Sequence, residues 1–165
     1  MLKQTVLHGA HLELGAKMGG FAGYDMPLYY PSGVIKEHEW VRSNAGIFDV
    51  SHMGQITLKG EGVVQFLETL TPSAFAPKAH GRAQYTVLLN EDGGIIDDLI
   101  ITRVSDHEFY AVINAGCKEK DIEWMKSRMP DDVRMIVHTD RALIALQGGW
   151  SERVLHEILG VEAHD

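Results

Sequence analysis

The 165-residue sequence has a single cysteine, Cys117, and no long apolar run. One cysteine excludes an intrachain disulfide and favours a reducing compartment such as the cytoplasm. No apolar stretch approaches the ~20 residues that span a bilayer. Residues 1–20 contain Glu13 and lack the apolar block of a secretory signal. We therefore expect a soluble, cytoplasmic protein that does not enter a membrane.

Basic clusters and metal-ligand motifs are also missing. The net charge of -8 argues against a non-specific nucleic-acid binder, because phosphate binding needs clustered Lys and Arg. Nine histidines are present, but even the neighbouring His8 and His11 belong to no Cys/His/Glu set at ligand spacing. We therefore predict no metal site. With 45% hydrophobic and 23% charged residues, the chain has the composition of a globular protein with a core.

Apolar periodicity predicts an α+β protein with antiparallel sheets flanked by short helices, since most strands follow one another through short turns. Helices are predicted within 5–14, 31–45, 63–70, 117–129 and 151–159, and strands at 55–59, 85–89, 95–101, 109–114, 133–138 and 142–146. Residues 16–30, rich in Gly and aromatics, predict short strands and turns. Boundaries near residues 49–53 and 140 divide the chain into segments 1–50, 51–140 and 141–165.

One hairpin carries the most informative pattern. The polar turn with Gly93-Gly94 joins two apolar strands, as in a β-hairpin. Two adjacent acids, Asp97 and Asp98, interrupt the second strand. A carboxylate in an otherwise hydrophobic strand is costly to bury without a partner. At least one of these acids is therefore expected to have a role beyond folding.

The turn predicts which way each acid projects. A two-residue turn and a four-residue turn both produce the same pairs: Tyr85 with Ile100, Val87 with Asp98, and Leu89 with Ile96. Directly opposed residues share a face of the sheet. Tyr85 and Asp98 are therefore predicted to project from one face and Asp97 from the other. A turn with an odd number of residues would reverse this assignment.

The turn into the third strand leaves two registers open. A three-residue turn places Asn114 directly opposite Asp98, whereas a two-residue turn places it on the other face. Tyr85, Asp98 and, in the first register, Asn114 would form a polar cluster suited to orienting a heterocycle or accepting a proton. The alternative is that Asp98 lies on a solvated sheet face and Asp97 caps a neighbouring group, since antiparallel sheets commonly leave one face wet.

Other candidate residues have simpler interpretations. Cys117, beside lysines, has the surroundings of a reactive thiol, but structural cysteines are commoner. Ser51-His52 lacks the turn context of a hydrolase nucleophile. Met53 before Gly54 is typical of a core position.

Several segments resemble the N-terminal half of the aminomethyltransferase of the glycine cleavage system, the T-protein family. The matching stretches are Leu14–Met18, Phe21–Tyr30, Gly46–Gly54, Tyr85–Asn90, Gly93–Ile100, Val112–Gly116, Glu119–Asp121 and Ala142–Gly148. They are collinear and extend over nearly the whole chain. The resemblance implies the N-terminal portion of the T-protein-like folate-binding fold.

The same resemblance implies tetrahydrofolate-dependent transfer in glycine catabolism. In that family a lipoyl carrier protein, the H-protein, presents an aminomethyl group; a folate nitrogen attacks its carbon, ammonia leaves, and methylene-tetrahydrofolate forms. Asp98 matches the second acid of the family's Asp-Asp pair and would hydrogen-bond the attacking nitrogen as the catalytic residue. Met53, Tyr85 and Asn114 match positions that line the folate pocket, and the Asn114 match favours the three-residue turn. No metal is implied.

The family's members are much longer than this chain, and their second half completes the pocket. The resemblance therefore implies that the 165-residue chain binds folate weakly and turns over little alone. It also implies a complementary C-terminal half, or self-association through uncovered apolar surface. The alternative functions are a folate-binding module without transfer activity and a related folate-dependent demethylase.

Overall fold

The computed structural model describes residues 1–160, which divide into two compact units. The first unit comprises Met1–His52 and the chain from Arg141 onward, and the second comprises Met53–Asp140. The last five residues of the predicted segment 141–165 lie outside the described residues. Among residues 1–160, no helix combines the length and the apolar character needed to cross a membrane.

Residues 1–160 form short helices and strands in alternating groups. The helices are α1 (His8–Glu13), α2 (Val34–Ser43), α3 (Val63–Leu70), α4 (Lys118–Lys126) and α5 (Ser151–Leu159). The strands are β1 (Lys17–Phe21), β2 (Tyr24–Tyr29), β3 (Gly46–Asp49), β4 (Gly54–Gly60), β5 (Ala83–Leu89), β6 (Ile95–Ser105), β7 (Glu108–Ile113), β8 (Val133–His138) and β9 (Ile144–Gln147). The predicted α+β class with antiparallel sheets is confirmed.

The first unit pairs its strands in two small antiparallel sheets, β1 with β2 and β3 with β9. Its polar interior centres on His11, whose ring lies between the hydroxyl of Tyr30 at 2.9 Å and the carboxylate of Asp49 at 2.8 Å. Thr5 also donates to the Asp49 carboxylate, at 2.8 Å. These contacts join α1 to the end of β3.

The second unit, Met53–Asp140, contains an antiparallel sheet in the order β5-β6-β7-β4-β8. One face of this sheet packs against α3 and α4. The apolar positions of α3 recur at helical spacing, so one stripe of the helix is buried: Val63, Phe66, Leu67 and Leu70. They join buried strand residues such as Ile56, Leu88 and Phe109 in a continuous core. The opposite sheet face carries the predicted site.

The register of the β5–β6 hairpin confirms the face assignment of the two acids. Tyr85 pairs with Ile100 and Val87 with Asp98, as predicted. Asp97 pairs with the fully buried Leu88, so Asp97 lies on the core face and Asp98 on the opposite face.

The turn of this hairpin differs from the prediction. The backbone N–H of Asn90 donates to the carbonyl of Gly94 at 2.8 Å, so the turn encloses an odd number of residues. Leu89 consequently pairs with Ile95, and its expected pairing with Ile96 is wrong. Ile96 is the extra residue of a β-bulge. The bulge shifts the ladder by one position and cancels the effect of the odd turn.

A second bulge restores the expected register after the turn between β6 and β7. Ser105 pairs with Glu108, so this turn has two residues and the favoured three-residue turn is wrong. The ladder then shifts between Ser105 and Arg103, which pairs with Phe109, and Val104 is the extra residue.

The shifted ladder has the predicted register in which Asn114 lies opposite Asp98. Leu99 pairs with Ile113, and continuing the ladder by one residue places Asn114 opposite Asp98. The register was therefore predicted correctly although the turn length was not.

Candidate functional site

Tyr85, Asp98 and Asn114 meet on the open face of the sheet. The hydroxyl of Tyr85 donates to Asp98 Oδ2 at 2.8 Å, and Asn114 Nδ2 donates to Asp98 Oδ1 at 3.0 Å. Each oxygen of this carboxylate is therefore held by a neutral donor. The hydrogen bond to Asp98 raises the pKa of the Tyr85 phenol above its ordinary value, because it stabilises the protonated hydroxyl. The side chain of Tyr85 is 64% exposed, so the cluster faces outward.

Asn114 also reaches the second acid of the pair. Its Nδ2 lies 3.1 Å from Asp97 Oδ1 and 3.1 Å from the backbone carbonyl of Asp98. The backbone carbonyl of Asn114 accepts a hydrogen bond at 3.2 Å from the backbone N–H of Cys117, the N-cap residue of α4. Asn114 follows the last residue of β7, so its amide lies at the sheet end, where it contacts acids that project to opposite faces.

Asp97 is surrounded by donors on the core side of the sheet. Burial raises its pKa, but the neighbouring carboxyl of Asp121, the amide of Asn114 and the backbone N–H of Asp98 more than offset this, so the pKa of Asp97 lies below its usual value. The thiol of Cys117 also donates to Asp97, which raises the pKa of the thiol. A thiol held in its protonated form is a poor nucleophile. The structural interpretation of Cys117 is favoured.

Asp121 is the polar residue that sequence reasoning missed. It lies on α4, four residues before the buried Met125, and its side chain is fully buried. Burial, and then the neighbouring Asp97, raise the pKa of Asp121 to about 7. Its position was readable from the sequence, because residues four apart share a helix face and Met125 is an apolar residue of the predicted helix within 117–129. Only the structure shows that this face meets Asp97.

Helix α4 and the segment that follows it are both attached to the hairpin. Lys120 Nζ donates to the carbonyl of the bulged Ile96 at 2.8 Å. Arg128 Nη2 lies 2.7 Å from Glu91 Oε1 at the turn, and its guanidinium stacks 3.2 Å above the ring of Trp124. These contacts connect the helix to both the bulge and the turn, so they help to position Asp97 and Asp98.

Met53 lies at the same end of the sheet. It immediately precedes β4, whose first residue, Gly54, pairs with Ile113. Continuing that ladder places half-buried Met53 beside Asn114. The structure thus joins Tyr85 and Asn114 to Asp98 by hydrogen bonds, and the register places Met53 next to Asn114.

Other groups serve the fold. The hydroxyl of Ser51 donates to the carbonyl of Leu143 at 3.3 Å and accepts from the N–H of Leu143 at 2.9 Å. Within the described residues, no group of three or more His, Cys, Asp or Glu side chains is arranged to hold a metal ion. A cavity of about 550 Å³, lined by residues such as Trp40 and Ile47, belongs to the first unit and contains none of the predicted site residues. The candidate site lies on an exposed sheet face, where the side chain of Tyr85 is 64% exposed.

Comparison with known proteins assigns the family. Residues 7–165 match the model of the GCVT N-terminal domain. The chain belongs to this family. This match confirms the family resemblance. A solved structure confirms the fold expected from that resemblance. That structure, the glycine cleavage system aminomethyltransferase T from Bartonella henselae, matches with a TM-score of 0.90 and 42% identity over 95% of this chain and 44% of that one.

The curated relatives of this GCVT-domain chain are aminomethyltransferases. It is 41% identical over 162 residues to the aminomethyltransferase of Chloroherpeton thalassium, which covers 97% of this chain and 44% of the relative. It is 43% identical over 168 residues to the mitochondrial aminomethyltransferase of Saccharomyces cerevisiae, which covers 98% of this chain and 42% of the relative. The chain therefore spans less than half the length of these relatives.

Proposed function

We propose that this chain forms the folate-facing wall of a tetrahydrofolate-dependent aminomethyltransferase. In the proposed reaction, a lipoyl carrier protein (H-protein) delivers an aminomethyl group, ammonia is released, and methylene-tetrahydrofolate and the dihydrolipoyl carrier are formed. The observation that supports this most directly is the Asp98 carboxylate, held by Tyr85 and Asn114 on an open sheet face. The names of the curated relatives support the same reaction class.

Asp98 is the proposed catalytic residue. Tetrahydrofolate, as co-substrate, would supply the nitrogen that takes up the one-carbon unit. A carboxylate oxygen can accept two hydrogen bonds, so each oxygen of Asp98 keeps acceptor capacity beside its protein donor. Asp98 can therefore accept a hydrogen bond from the substrate nitrogen, and Tyr85 and Asn114 keep the carboxylate oriented for it.

The surroundings of Asp98 fit a flat heterocycle with polar edges. The same sheet face presents Tyr85 and the 40% exposed Ile100, which are directly opposed. An aromatic ring and an aliphatic side chain provide apolar contact area, while a hydroxyl, a carboxylate and an amide provide orientation. Ligand sites commonly combine an apolar lining with a few such polar groups. Met53, at the end of the sheet, extends the lining in this proposal.

The second candidate is a folate-binding module without transfer activity. It is favoured by the openness of the site, where the side chain of Tyr85 is 64% exposed. A folate-dependent demethylase that uses another one-carbon donor would have the same site. Binding alone requires no acid at the substrate nitrogen, so the dependence on Asp98 separates transfer from binding.

The test is the substitution Asp98→Asn. The 165-residue chain is mixed with aminomethyl-loaded carrier protein and tetrahydrofolate, and methylene-tetrahydrofolate is measured through a coupled dehydrogenase. We expect the rate above background to fall by about 100-fold or more, which is the contribution of a positioned acid–base group. Folate affinity, measured by calorimetry, should fall by no more than about fivefold, because the substituted amide oxygen still accepts a hydrogen bond and only the charge assistance, about 1 kcal/mol, is lost.

Exposed Asp131 provides the matched control. Asp131→Asn makes the same chemical change in the same unit and should leave both rate and affinity unchanged. Transfer that survives Asp98→Asn would remove Asp98 from the catalytic role. Folate binding with no transfer by the wild type, even when a complementary C-terminal half is supplied, would favour the binding module.

The chain alone is expected to be slow, because its aminomethyltransferase relatives are more than twice as long. A complementary C-terminal half supplied as a separate chain should raise folate affinity and rate together. Fast turnover by the 165-residue chain alone would contradict this part of the proposal.

The single cysteine still favours a reducing compartment such as the cytoplasm as its location.

A further inference from the structure

We propose that Asp97 and Asp121 share one proton, and that this proton fixes the side chain of Asn114 and, through it, the orientation of Asp98. Asp97 and Asp121 are then positioning residues, since neither lies on the open face with Asp98. Their importance for catalysis rests on the proposed function, but the shared proton and its effect on Asn114 do not.

The first argument is that three buried oxygens lack an ordinary donor. Among the described residues, Asp97 Oδ2 and both carboxyl oxygens of Asp121 are buried and receive no hydrogen bond from a conventional donor. Two ionised carboxylates are acceptors only, so they cannot hydrogen-bond each other. A second buried negative charge beside the first would also be costly. One proton between the two carboxyls satisfies the pair and removes one of the charges.

The nearby cation is already engaged. Lys120 Nζ lies 3.8 Å from Asp121 Oδ1, but it donates to the carbonyl of Ile96 at the shorter distance of 2.8 Å. Its side chain is 52% exposed, whereas that of Asp121 is 1% exposed. A half-exposed lysine at this distance is a weak counter-ion for a buried carboxylate. Lys120 therefore does not replace the proton.

The proton belongs mainly to Asp121. Asp97 has other donors that favour its ionised form: the amide of Asn114, the backbone N–H of Asp98 and the thiol of Cys117. Asp121 has no comparable set, and burial next to Asp97 raises its pKa to about 7. The ionisable groups that influence Asp121 are Asp97 and, across the sheet, Asp98 from β6, Cys117 from the preceding turn and Lys120 from its own helix. Protonated Asp121 donates to ionised Asp97.

The pair reaches the candidate site through one amide nitrogen. Asn114 Nδ2 lies 3.1 Å from Asp97 Oδ1 and 3.0 Å from Asp98 Oδ1. When Asp121 loses its proton, two adjacent carboxylates repel each other and Asp97 loses a donor. Any shift of Asp97 changes the position of the amide that holds Asp98. The amide should therefore report the protonation state of Asp121.

The test is an NMR titration of the 165-residue chain, labelled with ¹³C and ¹⁵N. The carboxyl carbons of the aspartates and the side-chain NH₂ of Asn114 are followed from about pH 5 to about pH 9, a range that brackets the raised pKa. We expect one aspartate carboxyl to titrate with a midpoint of about 7, and the Asn114 NH₂ resonances to move with the same midpoint. Neither measurement requires folate or a carrier protein.

Asp121→Asn tests the assignment. Its carboxamide donates to Asp97 at every pH, as the protonated acid does, so the transition near pH 7 should disappear. The Asn114 resonances should stay at their low-pH wild-type positions throughout. Asp131→Asn, the exposed control, should leave both wild-type transitions unchanged. If Asp121→Asn does not fold, Asp97→Asn serves instead, because it removes the charge next to Asp121 and should lower the carboxyl midpoint.

Two results would overturn the proposal. If every aspartate of the wild type titrates below about pH 5.5, as unperturbed carboxyls do, there is no shared proton. If a carboxyl titrates near 7 but the Asn114 NH₂ does not respond, the pair does not position Asn114. If the Asn114 NH₂ resonances of the wild type move with the expected midpoint but Asp98→Asn keeps full transfer activity, only the proposed function is overturned.

Discussion

The amide of Asn114 holds Asp98 at two points, its carboxylate at 3.0 Å and its backbone carbonyl at 3.1 Å. The two contacts fix the carboxylate relative to the strand that carries it. Tyr85 fixes the other carboxylate oxygen from the neighbouring strand. The proposed catalytic group is therefore oriented before any substrate arrives, which is how a binding site lowers the entropic part of a barrier.

Replacing Asn114 by Asp should destabilise the protein. The change keeps the shape of the side chain but replaces its donors by a third carboxylate beside Asp97 and Asp98. We expect a loss of about 1–3 kcal/mol in the free energy of unfolding at pH 7, measured in urea, and a smaller loss at pH 4, where the new acid is partly protonated. Gln65→Glu, the same change on an exposed helix position, is the control. Equal losses in both variants would show that Asn114 has no special donor role.

Removing the carboxylate of Asp98 should make Tyr85 easier to ionise. Its hydrogen bond to Asp98 raises the pKa of the phenol, so Asp98→Asn should lower the pH at which one tyrosine ionises. Absorbance near 295 nm, followed into the alkaline range, measures this ionisation. Tyr85→Phe identifies the transition by removing it. An unchanged tyrosine titration in Asp98→Asn would contradict the hydrogen bond between the two side chains in solution.

Asp121 should make stability depend on pH between about 5 and 8. Its pKa is raised to about 7 in the folded protein from an ordinary value of 3.8, so the folded state binds the extra proton in this interval. The free energy of unfolding should therefore fall as pH rises through the interval. The pKa of Asp97 is shifted downward, so its contribution is already complete above about pH 5 and does not oppose the trend.

The measurement compares urea unfolding of the wild type and Asp121→Asn at pH 5 and pH 8. Relative to the wild type, the variant's free energy of unfolding should increase by about 1–2 kcal/mol between pH 5 and pH 8. This is less than the full linkage value because the two carboxyls are coupled. Histidine ionisation affects both proteins and is removed by the subtraction. Parallel pH profiles would mean that Asp121 is ionised throughout.

The apolar surface of the first unit should drive self-association. Ile35 is 74% exposed and Ile47 is 72% exposed, and Ile47 lies on β3, which pairs only with β9 in the described chain. Exposed apolar side chains on an open strand edge favour contacts between copies. Sedimentation should give a mass above 18.3 kDa that rises with concentration.

Ile47→Lys should shift this equilibrium towards the monomer, because a charged residue on a strand edge opposes edge-to-edge pairing. Leu12→Lys changes another exposed apolar residue of the same unit, on α1, and should have less effect. A monodisperse wild-type monomer across the concentration range would contradict the prediction.

Much of the second unit followed from local patterns. The stripe of α3 was readable because its apolar residues repeat with the period of a helix, and α3 has the predicted bounds. The two acids could be assigned to opposite faces because side chains alternate along a strand. Recognition of the family came from extended collinear motifs, and it pointed to Asp98 together with Tyr85 and Asn114.

The turn lengths show where local reasoning fails. Both turns were assigned incorrectly, and in both cases a bulged residue, Ile96 or Val104, restored the register. A bulge is selected by how the strand packs and pairs along its whole length. The alternation of apolar residues specifies the face of a strand more strongly than the turn specifies its length.

By itself, the sequence determined the antiparallel α+β class, the family and the opposite faces of Asp97 and Asp98, because each depends on spacing along the chain. The tertiary structure decided that Asn114 contacts both acids and that Asp121 of α4 lies against Asp97. These residues belong to separate elements, and their distances depend on how a helix packs against a sheet. Burial then raised the pKa of Asp121, since the cost of a buried charge exists only once the surrounding core has formed.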